Sequence, residues 1–187
     1  MKNNVESMRN DIISHISEKI GKDVDTSFDR SRGTCKGYLK AAFISQNIAA
    51  SIGLHFGTPK AFIIGSPTPQ WVVESPGLTG EPGTVSLTYT EAPYVGWYLR
   101  HSNYRLQVDD KNNPSLPQYF IKDATWRLIP NKYFKNYMTF QSVNYPDRFI
   151  RHQSWALKLH QDDGSELFKK DASFLQAPFS SLYGKCE

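Results

Sequence analysis

The sequence predicts an all-β domain assembled from three copies of one small unit, preceded by a short amphipathic helix. Three observations carry this expectation. Of 187 residues only 39% are hydrophobic, yet 13% are aromatic, with 11 Pro and 12 Gly, the balance of many short strands joined by tight turns. A self-similar block of about 50 residues occurs twice in the second half. A worn third copy can be threaded upstream of these two.

The chain opens with Val5, Met8, Ile12, Ile16 and Ile20 at helical spacing, then Gly21, which predicts a helix over residues 5–20. It either packs over one end of the domain or offers a surface to a protein partner. Residues 22–33 are polar and charged and read as a linker, which divides the chain into 1–33 and a β-rich domain at 34–187.

The repeat is clearest from its centre outward. Trp97-Tyr98-Leu99-Arg100-His101 matches Arg148-Phe149-Ile150-Arg151-His152. Each follows a strand-like segment, residues 85–89 or 138–142, and precedes an alternating one, residues 104–108 or 155–159. Both copies then reach Asp-Ala-Thr/Ser-aromatic, at Asp123-Ala124-Thr125-Trp126 and Asp171-Ala172-Ser173-Phe174. The upstream copy takes residues 42–45, 52–55, 61–64 and 70–73 as its strands. The copies span about 36–82, 84–134 and 137–184. A four-stranded unit cannot bury its apolar face alone, and three copies close a β-trefoil, whereas a propeller needs at least four blades. Phe43, Leu87, Phe140, Trp71, Trp126 and Phe174 are the expected core.

These motifs, VNYPDRFIRH, LKLHQDDGSELFKKDASF and WYLRH with DATWRLIP, resemble the arabinofuranose-binding family 42 carbohydrate-binding module, a β-trefoil found at the end of α-L-arabinofuranosidases. The resemblance is close over residues 84–177 and weak over 36–82. It implies a non-catalytic, lectin-like domain with one shallow pocket per copy for furanose side groups of arabinan or arabinoxylan. By position it assigns sugar contacts to His101 with Asp123 and to His152 with Asp171. The first copy has His55, but Thr68 stands where the aspartate belongs. Within these 187 residues no glycosidase-like segment accompanies the copies, so another pentose, galactofuranose or an animal glycan remains open as ligand.

A carboxylate accepts two sugar hydroxyls in charge-assisted bonds and a neutral imidazole donates one, the minimum for orienting a sugar. Arg100 and Arg151 lie one residue away on the strand, so alternation points them to the other face, where each is expected to bridge a carboxylate or carbonyl of its own copy. Tyr104 and Trp155 are candidates for the aromatic wall of a sugar site, although their alternation with Leu106 and Leu157 suits core packing equally.

Other functions have less behind them. Hydrolysis of a glycoside needs two carboxylates about 5–9.5 Å apart, and one Asp per copy does not bring two together. No Gly-x-Ser-x-Gly elbow is present, and the five histidines contain no i, i+4 pair for a metal, so neither an enzyme nor a cofactor is expected. A net charge of +4 with scattered bases does not suggest nucleic acid, and no run of residues approaches a membrane span. The N-terminus lacks the apolar core of a secretory signal, yet the ligand class points to action outside the cell. The alternative is the receptor-binding trefoil of a secreted toxin or effector, or a protein-interaction scaffold. Finally, Cys35 and Cys186 bracket the β-rich region, and since the ends of a closed trefoil meet, they are expected to form a disulfide.

Overall fold

The computed structural model describes residues 36–65 and 68–185. The expected helix over residues 5–20, the linker and the Cys35–Cys186 pair lie outside the described residues. Within them the fold is almost entirely β, as composition predicted. The strands are β1 Lys36–Ser45, β2 Ser51–Leu54, β3 Ala61–Ile64, β4 Trp71–Ser75, β5 Thr84–Tyr89 and β6 Tyr98–Ser102. They continue as β7 Arg105–Asp109, β8 Trp126–Pro130, β9 Met138–Ser142, β10 Arg148–Gln153, β11 Ala156–Gln161 and β12 Phe174–Lys185.

Two short helices, α1 Phe120–Asp123 and α2 Glu166–Asp171, occupy places read from sequence as turns. Asp123 and Asp171 therefore end helices, and do not open the following strands. The sequence of α2 explains it: the Ser165 side chain accepts the Phe168 amide as N-cap, Glu166 sits in the first turn, and Lys169 and Lys170 in the last. In each helix a Phe and the Asp three residues later share the buried face, Phe120 with Asp123 and Phe168 with Asp171.

Six strands close a ring, because β1 pairs with β4, β4 with β5, β5 with β8, β8 with β9, β9 with β12 and β12 with β1. Closure leaves none of these strands with an open edge. The remaining six form the hairpins β2–β3, β6–β7 and β10–β11, joined to the ring through Ile44 opposite Ser51, Thr88 opposite Tyr98 and Gln141 opposite Phe149. The register is equivalent three times over. Trp71 faces Tyr89, Trp126 faces Ser142 and Phe174 faces Ser45.

All six expected core residues are fully buried. Phe140 meets Phe43 edge to face with centroids 4.9 Å apart and lies 6.0 Å from Phe174. The Trp71 and Trp126 indoles donate to the carbonyls of Ile52 and Leu99, so their polar edges are satisfied inside the core. Removing the Phe140 ring should therefore lower the unfolding free energy by about 3–5 kcal/mol. Phe56→Ala, at a side chain 98% exposed, should leave it within about 0.5 kcal/mol. Urea denaturation of the two variants checks both expectations.

Candidate functional site

The histidine-bearing strands and the two helices converge on a pair of pockets. The first, of about 440 Å³, is lined by Arg100, His101, Asn103, Tyr119, Lys122, Asp123, Asn144 and Tyr145 among others. The second, of about 390 Å³, is lined by Asn47, Ile48, Arg151, His152, Trp155, Leu167 and Asp171 among others.

At the centre of each, one carboxylate is held by the same three partners. Asp123 Oδ1 accepts from Asn144 Nδ2 at 2.7 Å and lies 3.4 Å from His101 Nε2, while Oδ2 lies 3.4 Å from Arg100 Nη1. Asp171 Oδ1 accepts from Asn47 Nδ2 at 2.7 Å and lies 3.4 Å from His152 Nε2, while Oδ2 takes Arg151 Nη2 at 2.5 Å. Each guanidinium also lies over the helix phenylalanine, Arg100 over Phe120 at 6.0 Å and Arg151 over Phe168 at 5.4 Å. Strand alternation sends Arg and His off opposite faces, but the arginine is long enough to curl back, so both reach one carboxylate.

The asparagines and their supporting serines were not singled out from sequence. Ser142 Oγ donates to Asn144 Oδ1 at 2.8 Å, and His101 Nε2 lies 2.9 Å from the same oxygen. In the second pocket Ser45 Oγ is 2.8 Å from His152 Nε2 and accepts the amide of Asn47. A signal was present, since Phe43-Ile44-Ser45-Gln46-Asn47 and Phe140-Gln141-Ser142-Val143-Asn144 share Phe-x-Ser-x-Asn. It was hidden because the motif serves the hairpin of the preceding copy: β9 completes the pocket of β6, and β1 completes that of β10.

The β2–β3 hairpin lacks this constellation. Its register sets Leu54 opposite Ala61, as His101 is opposite Leu106, so Leu54 and not His55 holds the histidine position. Gly53 then holds the arginine position, and a Cβ there would lie 2.5 Å from Ile64 and 2.7 Å from Pro69. On the facing strand Tyr89 and Glu91 replace the serine and asparagine and bond each other at 3.1 Å. His55 is exposed, against Phe62.

Tyr104 and Trp155 are not core residues. They lie in two-residue hairpin turns with φ of 59° and 67°, and are 45% and 61% exposed. Alternation misleads here because residue 104 or 155 belongs to the turn and not to the strand. Trp155 lines its pocket directly, whereas Tyr104 touches Tyr145, with centroids 5.9 Å apart.

Burial drives the imidazoles of His101 and His152 below their usual value of 6.5, against the opposing pull of Asn144 and Asp123 on the first and of Asp171 on the second. Both are therefore neutral at pH 7, and the unfolded chain takes up protons first. Their contribution to stability is whole above pH 6.5 and declines as pH falls below it. The melting temperature should drop on acidification from that point, and His101→Gln with His152→Gln should flatten the slope. Arg100 has a second carboxylate, Asp109, at 2.5 Å, whereas the matching register position beside Arg151 is His160. Asp171→Asn should accordingly destabilise by about 3–5 kcal/mol and Asp123→Asn by less, as read from urea midpoints.

Comparison with known proteins places the chain in a family. The family model of the alpha-L-arabinofuranosidase B (ABFB) domain matches residues 66–176. Alpha-L-arabinofuranosidase B of Aspergillus niger is 28% identical over 150 residues, covering 78% of this chain and 28% of the relative; that of Emericella nidulans is 31% identical over 107 residues, 55% and 21%. The chain thus spans less than a third of the length of these curated relatives. Among solved structures, an arabinofuranosidase complexed with arabinofuranosyl-alpha-1,2-xylobiose has a TM-score of 0.58 at 19% identity, covering 74% of this chain and 30% of that one. An endo-β-galactosidase from Clostridium perfringens gives 0.57 at 12%, over 76% and 33%. With more than half its length matched, the chain belongs to the alpha-L-arabinofuranosidase B (ABFB) domain family.

Proposed function

We propose that the six-stranded ring and its three hairpins are a β-trefoil with lobes at about 36–82, 84–134 and 137–184, and that it is a non-catalytic carbohydrate-binding module. It takes arabinofuranose, or a related furanose side group of a polysaccharide, in two pockets. The observation that carries this reading is the twofold occurrence of one Arg-His-Asp-Asn network, with the same contacts, each under an open pocket. A shared structural need alone would have kept the network in the first hairpin as well, where Gly53, Leu54, Tyr89 and Glu91 show that the fold does without it.

Each aspartate keeps lone pairs beyond those used by its partners, so a sugar hydroxyl at the pocket floor finds a charge-assisted acceptor already oriented. Asp123 and Asp171 are 8% and 3% exposed, so this contact is made along one edge of the carboxylate. Each pocket is lined by a single acid, whereas hydrolysis of a glycoside uses two facing one bond. The relatives' name supports the furanose as ligand.

A Cys35–Cys186 bridge and action outside the cell belong to the same reading. Their support is the pairing of Lys36 with Lys185, the described residues that adjoin the two cysteines in sequence. Mass spectrometry without reductant should find the two cysteines in one crosslinked peptide; two free thiols would remove this part of the reading.

Calorimetry with methyl α-L-arabinofuranoside should count two sites. Asp123→Asn keeps the shape of the side chain and leaves Arg100 its Asp109 partner. It should weaken one site about ten- to a hundredfold and leave the other unchanged. A count of three, or two unaltered sites in the variant, would overturn the assignment.

A further inference from the structure

The two pockets share a floor but not a wall. In the first, the rim is polar: Tyr119 and Lys122 from the segment of α1, with Asn103 and Tyr145 opposite. The tip aromatic Tyr104 is already engaged, with the Arg148 guanidinium 4.3 Å over its ring and Tyr145 beside it.

In the second, Ile48, Trp155 and Leu167 give the rim an apolar side, with Gln153 and Ser154 completing it. Among the described residues no ring or cation lies against the Trp155 indole. The register shows why. Phe149 is joined to β9 where Ser51 is joined to β1, so the position of Arg148 is taken on the first hairpin by Ala50, which has no guanidinium to lay on the indole. Leu167 is 58% exposed on the solvent side of α2, and Trp155 is 61% exposed.

The backbone that carries the indole is also fixed. Its residue occupies the left-handed region at φ 67°, where a bulky side chain is strained, and its carbonyl accepts the Ile63 amide at 2.7 Å. An open aromatic face kept at such a position, next to the exposed Leu167 and the half-buried Ile48, forms a surface for a flat apolar group. A second sugar ring would bring hydroxyls against Ile48 and Leu167, which offer them nothing, whereas an aromatic ring gives up no hydrogen bond there.

We propose that the Asp171 pocket recognises a furanose bearing an aromatic substituent, an aryl glycoside or an aromatic acid ester, with that ring on Trp155 between Ile48 and Leu167. The Asp123 pocket takes the same sugar without regard to the substituent. This rests on the furanose reading above and adds specificity to it.

The test compares 4-nitrophenyl with methyl α-L-arabinofuranoside by calorimetry, the readout being the ratio of their affinities at each pocket. Asp123→Asn isolates the Asp171 pocket, where the ratio should favour the aryl glycoside by about three- to tenfold. In the unmodified chain the other pocket should show a ratio near one. Trp155→Gly removes the ring and suits the positive φ, so the hairpin is retained; Leu167→Ser alters an exposed position only. Combined with Asp123→Asn, the first should bring the ratio to about one and the second should reduce it. Equal ratios at both pockets, or a preference that survives both substitutions, would overturn the proposal. Failure of the methyl glycoside to bind at either pocket would instead overturn the furanose reading itself.

Discussion

Three backbone hydrogen bonds at the hairpin tips hold the arrangement on which everything else depends. The Pro59 carbonyl accepts from Val108, that of Tyr104 from Leu159, and that of Trp155 from Ile63, at 2.8, 2.9 and 2.7 Å. Each hairpin is thus fastened at its tip to the next, and the third returns to the first. The closure satisfies backbone groups that would otherwise be buried without partners, and it fixes the hairpins over one end of the strand ring. It also sets the points on the backbone from which the tip side chains Tyr104 and Trp155 project.

Beneath the tips, the polar networks illustrate how a buried charge is tolerated. Arg151 and Asp171 are both under a tenth exposed, and neither would persist without the other. Phe168 and Phe120 cover the guanidinium faces, an asparagine and a histidine meet the Oδ1 of each carboxylate, and the helix ends bring the aspartates inward. Fully satisfied networks of this kind hold the side chains that they join in one arrangement.

The networks also lie across the joints of the structure. Asn144 comes from β9 to serve β6, and Asn47 from β1 to serve β10, so a pocket is complete only when neighbouring units are docked. This accounts for an otherwise uneven pattern of sequence. The first unit keeps Ser45 and Asn47 although its own hairpin has no such network, because they complete the pocket around Asp171. The second unit keeps Arg100 and His101 but has Tyr89 at the end of β5 and Glu91 just beyond it, facing the hairpin that lacks the network. Ile64 and Pro69 fill the space an arginine would use at Gly53.

Much of the fold was legible in the sequence, since strand alternation, turn residues and a repeat of about 50 residues are local or periodic signals. They sufficed for the all-β class, for the six core residues and for the two His and Asp pairs. Helices α1 and α2 escaped because, at four and six residues, they are too short to show a helical period. The places of Tyr104 and Trp155 escaped because a two-residue turn interrupts the strand period without a glycine to mark it. His55 was misplaced by one residue against Leu54, a difference that only pairing register decides. Above all, the contributions of Asn47 and Asn144 belonged to tertiary structure, for a residue that completes the site of a different unit leaves its partner 124 or 21 positions away, beyond any periodicity. The sequence determined what each strand could bury; the closure of the three hairpins decided which polar side chains would meet.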